Sequence, residues 1–261
     1  MSDAQISLSR AEQALENGST EEAIQILKRL LQGQADNTDA KALLGEALME
    51  AGHLEEAVAV LEDVVSLLPD EFDLQFDLGD AYFELDRPDD ACRVYENVLS
   101  RDPSQTDAHV SLGLILFHQE RLDEAESCYR RALEQDPESA FALLSLGDVC
   151  FATGRNDEAR KYFEKALELE PDDPQAHFNL AEYHYDNGDL KAAEKYCRRA
   201  ITLDPDFSFA YLTLGNICLD QEQIQESIHC FKEFLKREKS PASKEICDEV
   251  AALIEGLKSE S

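Results

Sequence analysis

The sequence predicts an all-α fold made of repeated helical hairpins, and three observations lead to that prediction. Small residues recur with a period of 34, at Ala11, Gly45, Gly79, Gly113, Gly147, Ala181 and Gly215. A second series of small residues runs from Ala23 to Ser227 with the same period, and prolines recur with it from Pro69 to Pro205. A fixed period of this length marks one supersecondary unit that stacks on its neighbours. We therefore expect seven copies of a two-helix unit.

Residues 106–139 illustrate how one unit is built. Apolar residues at helical spacing around Leu112 predict a first helix, called helix A below. The polar segment QERLDE follows, and Ala125 and Tyr129 then fall on the apolar side of a second helix, helix B. Pro137 ends helix B, because proline lacks the amide hydrogen that a helix interior needs. Each unit is therefore predicted to be a helical hairpin.

The same pattern divides the chain into seven consecutive units. The first is divergent, since Arg10 stands where later units have leucine and Ala35 stands where they have proline. A terminal unit needs a polar outer face, so this departure is expected of a cap. We expect one continuous solenoid whose units cover residues 4–37, 38–71, 72–105, 106–139, 140–173, 174–207 and 208–239.

One more helix is predicted after the last unit, over residues 240–258. Ser240 can cap its amino end, and Pro241 suits the first helical position. An apolar stripe at helical spacing follows, formed by Ile246, Val250, Leu253 and Leu257. We expect this helix to cover the apolar face of the last hairpin.

The repeated unit resembles the tetratricopeptide repeat (TPR). In residues 106–139 the resemblance is carried by Leu112, Gly113, Ala125, Tyr129, Ala132 and Pro137, and it extends over about residues 4–239. The resemblance implies a right-handed superhelix in which the A helices line a concave groove that binds peptides. TPR grooves that hold a chaperone's terminal carboxylate use lysine and arginine, and those of the asparagine-ladder type need asparagine at the sixth position of each unit. The groove positions of this chain hold no lysine or arginine, and Asn179 is the only asparagine at the sixth position. Neither ligand type is therefore favoured.

The groove-facing positions follow from the rotation of about 100° per residue along a helix. Positions 4, 7, 8 and 11 of each unit point toward the core, and positions 2, 5, 6, 9, 12 and 13 point the opposite way. No lysine or arginine occupies the second set. Its acidic residues are Glu12, Glu16, Asp39, Glu46, Glu50, Asp73, Asp77, Asp80, Glu84, Asp107, Asp148, Glu182, Asp186 and Asp220.

Aromatic residues alternate with these acids, so the sequence predicts an acidic, aromatic groove. The predicted partner-binding residues are Glu46, Glu50, Asp73, Phe76, Asp77, Asp80, Phe83, Glu84, Phe117, Phe141, Asp148, Phe151, Phe178, Glu182, Tyr185, Asp186 and Phe209. Two alternatives stay open. The acids could serve only solubility, and each phenylalanine could pack between neighbouring A helices instead of facing a partner.

Local stability does not explain where the groove acids lie. Glu46 and Glu50 are like charges four residues apart near the end of an A helix, as are Glu182 and Asp186. Each such pair costs about 0.2–0.5 kcal/mol, and the helix dipole also opposes negative charge there. We therefore favour a binding role for these acids.

Composition narrows the choice of partner and of compartment. The chain has 261 residues with 56 Asp and Glu against 24 Lys and Arg, a formal net charge of −32. Nucleic acid and anionic membranes favour clustered cations, so both are poor partners for this chain. Seven cysteines without a paired spacing indicate reduced thiols, and no apolar stretch reaches the length of a membrane span. We expect a cytoplasmic protein that does not insert into membranes.

No motif for catalysis, metal binding or a cofactor is found, so we expect none of the three. His177 and His184 occupy core positions, where buried histidines that are not ligands are the simpler interpretation. The sequence thus predicts a non-catalytic adaptor or assembly scaffold that binds a basic, apolar-containing protein segment. A chaperone-like holdase and a regulatory subunit of an enzyme complex stay open as alternatives, and the sequence leaves the oligomeric state undetermined.

Overall fold

The computed structural model describes residues 2–260, which form fifteen α-helices and one 3₁₀ turn. The A helices are α1 (Asp3–Glu16), α3 (Thr38–Glu50), α5 (Phe72–Glu84), α7 (Thr106–His118), α9 (Ala140–Ala152), α11 (Pro174–Asp186) and α13 (Ser208–Asp220). The B helices are α2 (Thr20–Gly33), α4 (Leu54–Leu67), α6 (Pro88–Arg101), α8 (Leu122–Gln135), α10 (Asn156–Leu169), α12 (Leu190–Leu203) and α14 (Ile224–Arg237). The 3₁₀ turn Pro241–Ser243 leads into α15 (Lys244–Glu260). The all-α prediction is confirmed.

The helices fall into two compact units, Met1–Asp136 with α1 to α8 and Pro137–Ser261 with α9 to α15. Within each unit the two helices of a hairpin pack against each other, and each B helix packs against the A helix that follows it in the same unit. Neighbouring A helices also touch: α1 with α3 and α3 with α5 in the N-terminal unit, α9 with α11 and α11 with α13 in the C-terminal unit. Adjacent A helices therefore form one face in each unit.

Each hairpin closes where a small residue of helix A meets a side chain of helix B. A Cβ atom added to Gly113 would lie 2.7 Å from Cε1 of Tyr129, and Gly45, Gly79, Gly147 and Gly215 face the equivalent side chain just as closely. The α11–α12 hairpin has Ala181 at the glycine position and the smaller Cys197 at the ring position, and both are fully buried in one core cluster. The two positions therefore share a fixed volume, so that a larger side chain at one of them requires a smaller side chain at the other.

The turn inside every hairpin contains one residue in the left-handed backbone region. These seven residues are Gly18, Gly52, Asp86, Glu120, Gly154, Gly188 and Glu222, with φ between 56° and 75°. They lie 34 residues apart, so the turn has the same conformation in each unit. Asp86, Glu120 and Glu222 adopt it despite carrying a Cβ atom, which costs about 1 kcal/mol or more at each site.

The proline carbonyl between units is bonded by a side chain at position 4 of the next A helix. The four donor and acceptor pairs are Gln75 with Pro69, His109 with Pro103, His177 with Pro171 and Tyr211 with Pro205, at 2.9, 3.0, 3.1 and 3.2 Å. In the unit that has leucine at this position, Lys165 Nζ donates to the Pro137 carbonyl at 3.2 Å instead. The core position predicted for His177 is therefore correct, and its role is to hold the loop.

The helix α15 covers the last hairpin as expected, and Val250 and Leu257 of the predicted stripe pack in the core cluster there. Val250 and Ile254 are buried against Phe231, whereas Ile246 and Leu253 are 36% and 37% exposed. The prediction was wrong for these two residues because both stripes fit the helical repeat, and contact with α14 selects the one that contains Ile254. Ser240 caps the 3₁₀ turn by accepting a hydrogen bond from the Ala242 amide.

Replacing Gly113 by alanine should destabilise the fold by about 1–3 kcal/mol, because the new Cβ would overlap the Tyr129 ring. Gly256→Ala is the control, since nothing lies within 4 Å of its Cβ position on α15 and the change should stabilise by about 0.5–1 kcal/mol. Denaturant unfolding measures both. In a Tyr129→Cys background, which imitates the α11–α12 hairpin, the cost of Gly113→Ala should disappear; an unchanged cost would contradict the shared volume.

Glu120→Gly should stabilise the chain by about 1 kcal/mol, because glycine adopts the φ of 59° without strain. The neighbouring Gln119 has an ordinary φ of −83°, so Gln119→Gly should give no gain. Thermal unfolding of the two variants compares them directly. Equal effects on the melting temperature would show that the left-handed conformation is not strained.

Candidate functional site

A depression between three A helices of the N-terminal unit is the candidate site, called the acidic trough below. The helices α1, α3 and α5 enclose about 450 Å³, lined by Leu8, Glu12, Asp39, Ala42, Leu43, Glu46, Asp73, Leu74 and Asp77. All but Leu74 occupy positions 2, 5, 6 or 9 of their units, which are predicted groove-facing positions. The structure thus brings Glu46, Asp73 and Asp77 of the predicted site together, along with Glu12 and Asp39.

The floor of the acidic trough is apolar. It consists of Leu8, Ala42, Leu43 and Leu74, all of them half-buried. The predicted set of binding residues missed these four side chains because it considered only acids and aromatics. Apolar residues at positions 5 and 6 of successive units would have indicated Leu8, Ala42 and Leu43, since those positions face away from the hairpin core.

Ordinary helix signals place the carboxylates around this floor. Asn37 caps α3 by accepting a hydrogen bond from the Ala40 amide at 2.9 Å. The cap puts Asp39 in the first turn of α3, and Asp73 likewise lies in the first turn of α5, where the helix dipole favours negative charge. Glu12 and Glu46 lie further along α1 and α3, where the dipole gives no such support. The helix dipole therefore explains the positions of Asp39 and Asp73, but it does not explain those of Glu12 and Glu46.

No cation balances these five carboxylates within residues 2–260, where none of them forms an ion pair. The nearest lysine along α3, Lys41, instead pairs with Asp63 of α4. Asp77 shows the consequence most clearly. Its burial, followed by the charges of Glu46, Asp80 and Asp73, raises the pKa of the Asp77 carboxyl to about 6. The trough is a strongly negative, partly desolvated surface.

The other predicted residues of α5 have partners within the protein. The Tyr95 hydroxyl donates to Asp80 at 2.5 Å, and the Phe76 ring packs on the Tyr95 ring with 5.6 Å between centroids. The Phe83 ring lies 5.5 Å from the His118 ring. Both phenylalanines are half-buried, so the structure supports the alternative that they pack between helices. Among the predicted acids, Glu50 and Glu84 are exposed and lie outside the trough lining.

In the C-terminal unit the equivalent A-helix positions hold a polar network. Asn179 Nδ2 donates to Asp148 Oδ1 at 2.7 Å, which joins α11 to α9, and Gln175 Nε2 donates to Asn179 Oδ1 at 2.7 Å. Burial, with a contribution from Glu182, raises the pKa of Asp148 to about 7. Burial and the charge of Asp186 raise the pKa of Glu182 as well, while a hydrogen bond from Thr213 opposes this shift.

The predicted aromatic residues of the C-terminal unit are not equally exposed. Phe178 is 8% exposed and packs on Phe207 with 4.8 Å between ring centroids, which supports the alternative that it packs between helices. Phe209 is also drawn inward, against Phe234 at 5.8 Å. The reason is the same for both, because the core under these A helices takes up a ring. Phe141 is 52% exposed.

The remaining predicted residues lie near the surface. Phe117 of α7 and Phe151 of α9 are half-buried, and Asp186 is exposed. The Tyr185 hydroxyl donates to Asp220 at 2.8 Å, and burial with this hydrogen bond raises the pKa of Tyr185 to about 12. Both of these side chains are thus bonded to each other across α11 and α13.

Within residues 2–260, no group of three or more His, Cys, Asp or Glu side chains could hold a metal ion. None of the helices described is both long enough and apolar enough to cross a membrane. All seven cysteines are free thiols, and five of them are buried. His184 stacks on Tyr196 with 5.4 Å between ring centroids, as a packed core residue.

These hairpins, their shared turn and the face formed by the A helices define a TPR protein, the class that the repeat pattern predicted. The chain belongs to the family described as the Cilia and flagella-associated protein 70 C-terminal domain, whose model matches residues 5–253. No curated protein matches the chain in sequence.

Solved structures with the same fold include a tetratricopeptide repeat protein from Parabacteroides merdae. It is 20% identical with a TM-score of 0.82, and the alignment covers 96% of this chain and 98% of that one. MamA from Desulfovibrio magneticus RS-1 is 27% identical with a TM-score of 0.61, over 66% and 97% of the two chains. YrrB, described as a TPR protein with an unusual peptide-binding site, is 23% identical with a TM-score of 0.57, over 67% and 90%. All three agree with the hairpin fold derived above.

Asp148→Asn should remove a pH-dependent loss of stability. The pKa of Asp148 is about 7 in the folded chain against an ordinary value of 3.8, so the folded state holds the proton more tightly. The stability that this carboxyl contributes is therefore fully present below about pH 4 and is lost as the pH rises through 7. Between about pH 5 and pH 8 the free energy of unfolding should fall by about 1–3 kcal/mol more in the native chain than in the variant.

Denaturant unfolding at several pH values measures this difference, and Asp157→Asn is the control. Asp157 is exposed in the first turn of α10, so removing its charge relieves no buried carboxylate. Its stability should still decline between pH 5 and pH 8 as in the native chain. If Asp148→Asn declines equally, burial does not raise the pKa of Asp148 as described.

Proposed function

We propose that the protein is a non-catalytic interaction scaffold that binds a basic protein segment with apolar side chains in the acidic trough. One observation carries the proposal: five carboxylates that form no ion pair with the described residues 2–260 surround an apolar floor on α1, α3 and α5. Such an arrangement is unfavourable in the free protein, because like charges repel across a partly desolvated surface. A cationic partner would relieve this repulsion and bury the floor.

The lining of the trough favours binding over catalysis. It consists of carboxylates and aliphatic side chains, with no nucleophile and base in contact with each other. Its apolar part would hold leucine-like side chains of the partner, and its charges would steer the encounter and fix orientation. YrrB is described as having a peptide-binding site. For this chain the proposed binding rests on the acidic trough itself.

The compartment is proposed from the thiols. Seven free cysteines, among them the neighbouring Cys218 and Cys230 in one core cluster, are compatible with a reducing environment such as the cytoplasm. Burial raises the pKa of the Cys230 thiol to about 12, which keeps it protonated and unreactive. We propose that the protein acts there.

A labelled peptide tests the proposed function. The chain has no tryptophan, so a synthetic peptide of about twelve residues, with lysine and leucine at helical spacing and one tryptophan, can be followed by its own fluorescence. Glu46→Lys with Asp73→Lys should weaken its binding at least about tenfold at low salt, because two attractive charges become repulsive. Raising the ionic strength should weaken binding to the native chain.

Two controls separate the trough from bulk charge. Glu55→Lys with Glu56→Lys changes the net charge equally at the start of α4, where Glu56 pairs with Lys28 at 2.5 Å, and it should cost stability while sparing binding. A second peptide with serine in place of leucine should bind more weakly, since it cannot cover the apolar floor. Equal weakening by the two pairs of reversals would mean that binding follows bulk charge, and the proposal would be wrong.

A further inference from the structure

We propose that Asp77 is the residue of the acidic trough that recognises a lysine or arginine side chain of the partner, and that it takes up this side chain in exchange for a proton. The inference rests on the proposed function, because it assigns recognition within the same trough. It specifies which carboxylate contacts the cation and how binding depends on pH.

The position of Asp77 sets it apart from the other carboxylates of the trough. It is half-buried, whereas Glu12, Asp39, Glu46 and Asp73 are exposed. A charge interaction is stronger in a partly desolvated place than in water, so a cation near Asp77 gains more than a cation near the exposed rim. The half-buried carboxylate is therefore the best single contact for a cationic group.

The charged and titratable groups around Asp77 are acids from the helices that pack on α5. Glu46 acts on it from α3, and Asp73 and Asp80 act on it from α5 itself. From α6 the Tyr95 hydroxyl donates to Asp80, and from α4 Glu62 accepts from the Tyr82 hydroxyl. Asp77 itself has no hydrogen-bond or ion-pair partner within residues 2–260. No cation of residues 2–260 already occupies this contact.

The neighbouring floor fits the stem of a long cationic side chain. Leu43 and Leu74 line the same depression as Asp77, and both are half-buried. Lysine and arginine side chains lay their methylene groups along apolar surface and keep the charged group at a polar site. The occupant that matches both features is thus a lysine or arginine whose stem lies on these leucines, carried on a partner segment with further apolar residues.

Proton exchange follows from the same geometry. Burial and three neighbouring carboxylates place the pKa of Asp77 at about 6 in the free protein, so much of the protein carries a proton there under mildly acidic conditions. A bound cation stabilises the ionised form and lowers this pKa, so binding releases the proton. If the pKa returns to about its ordinary value of 3.8, binding should be about tenfold weaker at pH 5 than at pH 7.

The test measures binding of the lysine and leucine peptide at about pH 5 and pH 7. Affinity for the native chain should fall about tenfold at the lower pH, and calorimetry in two buffers of different ionisation enthalpy should show proton release. Asp77→Asn should bind more weakly at pH 7 and show almost no change between the two pH values. In a carbon-13 titration, the Asp77 carboxyl should titrate near pH 6 in the free chain and lower in the complex.

Glu12→Gln is the matched control, because it removes one charge from the exposed rim of the same trough. It should weaken binding modestly and keep the roughly tenfold pH dependence. Binding of the native chain that does not change with pH, or an equal pH dependence in Asp77→Asn, would overturn the role of Asp77 and leave the scaffold proposal intact. Failure of the peptide to bind at either pH would overturn both.

Discussion

The close approach of helix A and helix B at one small residue is the contact on which the rest of the structure depends. Where Gly113 meets Tyr129, the ring occupies the space that a Cβ would need. This contact sets how near the two helices of a hairpin lie, and thereby how the next A helix is placed against the same B helix. The spacing of α1, α3 and α5, and so the width of the acidic trough, follows from it.

The two compact units carry different side chains at the same A-helix positions. In the N-terminal unit these positions carry carboxylates that pair with no cation of the described part of the chain, around an aliphatic floor. In the C-terminal unit Asn179 bonds Asp148, and Phe178 turns into the core. Hydrogen bonds that satisfy a buried carboxyl make an internal network, whereas unpaired carboxylates at a depression leave their interaction energy available to a partner.

The repulsion between carboxylates in the acidic trough lowers the stability of the folded chain. Burial, together with the charges of Glu46, Asp80 and Asp73, raises the pKa of Asp77, which means that these factors destabilise its ionised form in the folded chain. The packing of the hairpins tolerates this, because their cores are closed by rings such as Tyr95 and Phe163 that are almost fully buried. Local conflict of this kind is expected at functional sites, where stability and binding make opposite demands.

The sequence by itself determined the repeat, the class and most helix boundaries, because these depend on local patterns. Six A helices begin at the predicted starts of their units, including Thr38, Phe72 and Pro174. The acids of the trough were also predicted, because the absence of lysine and arginine at groove positions is visible in the sequence. The family match over residues 5–253 agrees with the predicted class of repeat.

Only the tertiary structure decided which of two adjacent helix faces is buried and which side chains enclose the depression. Ile246 and Ile254 fit apolar stripes of α15 equally well, yet contact with Phe231 buries Ile254 alone. Phe178 and Phe76 stand at groove-facing positions, yet they pack on Phe207 of the loop before α13 and on Tyr95 of α6. Helical periodicity fixes a direction only to within about one residue, or 100°, whereas burial depends on neighbours that are distant in sequence.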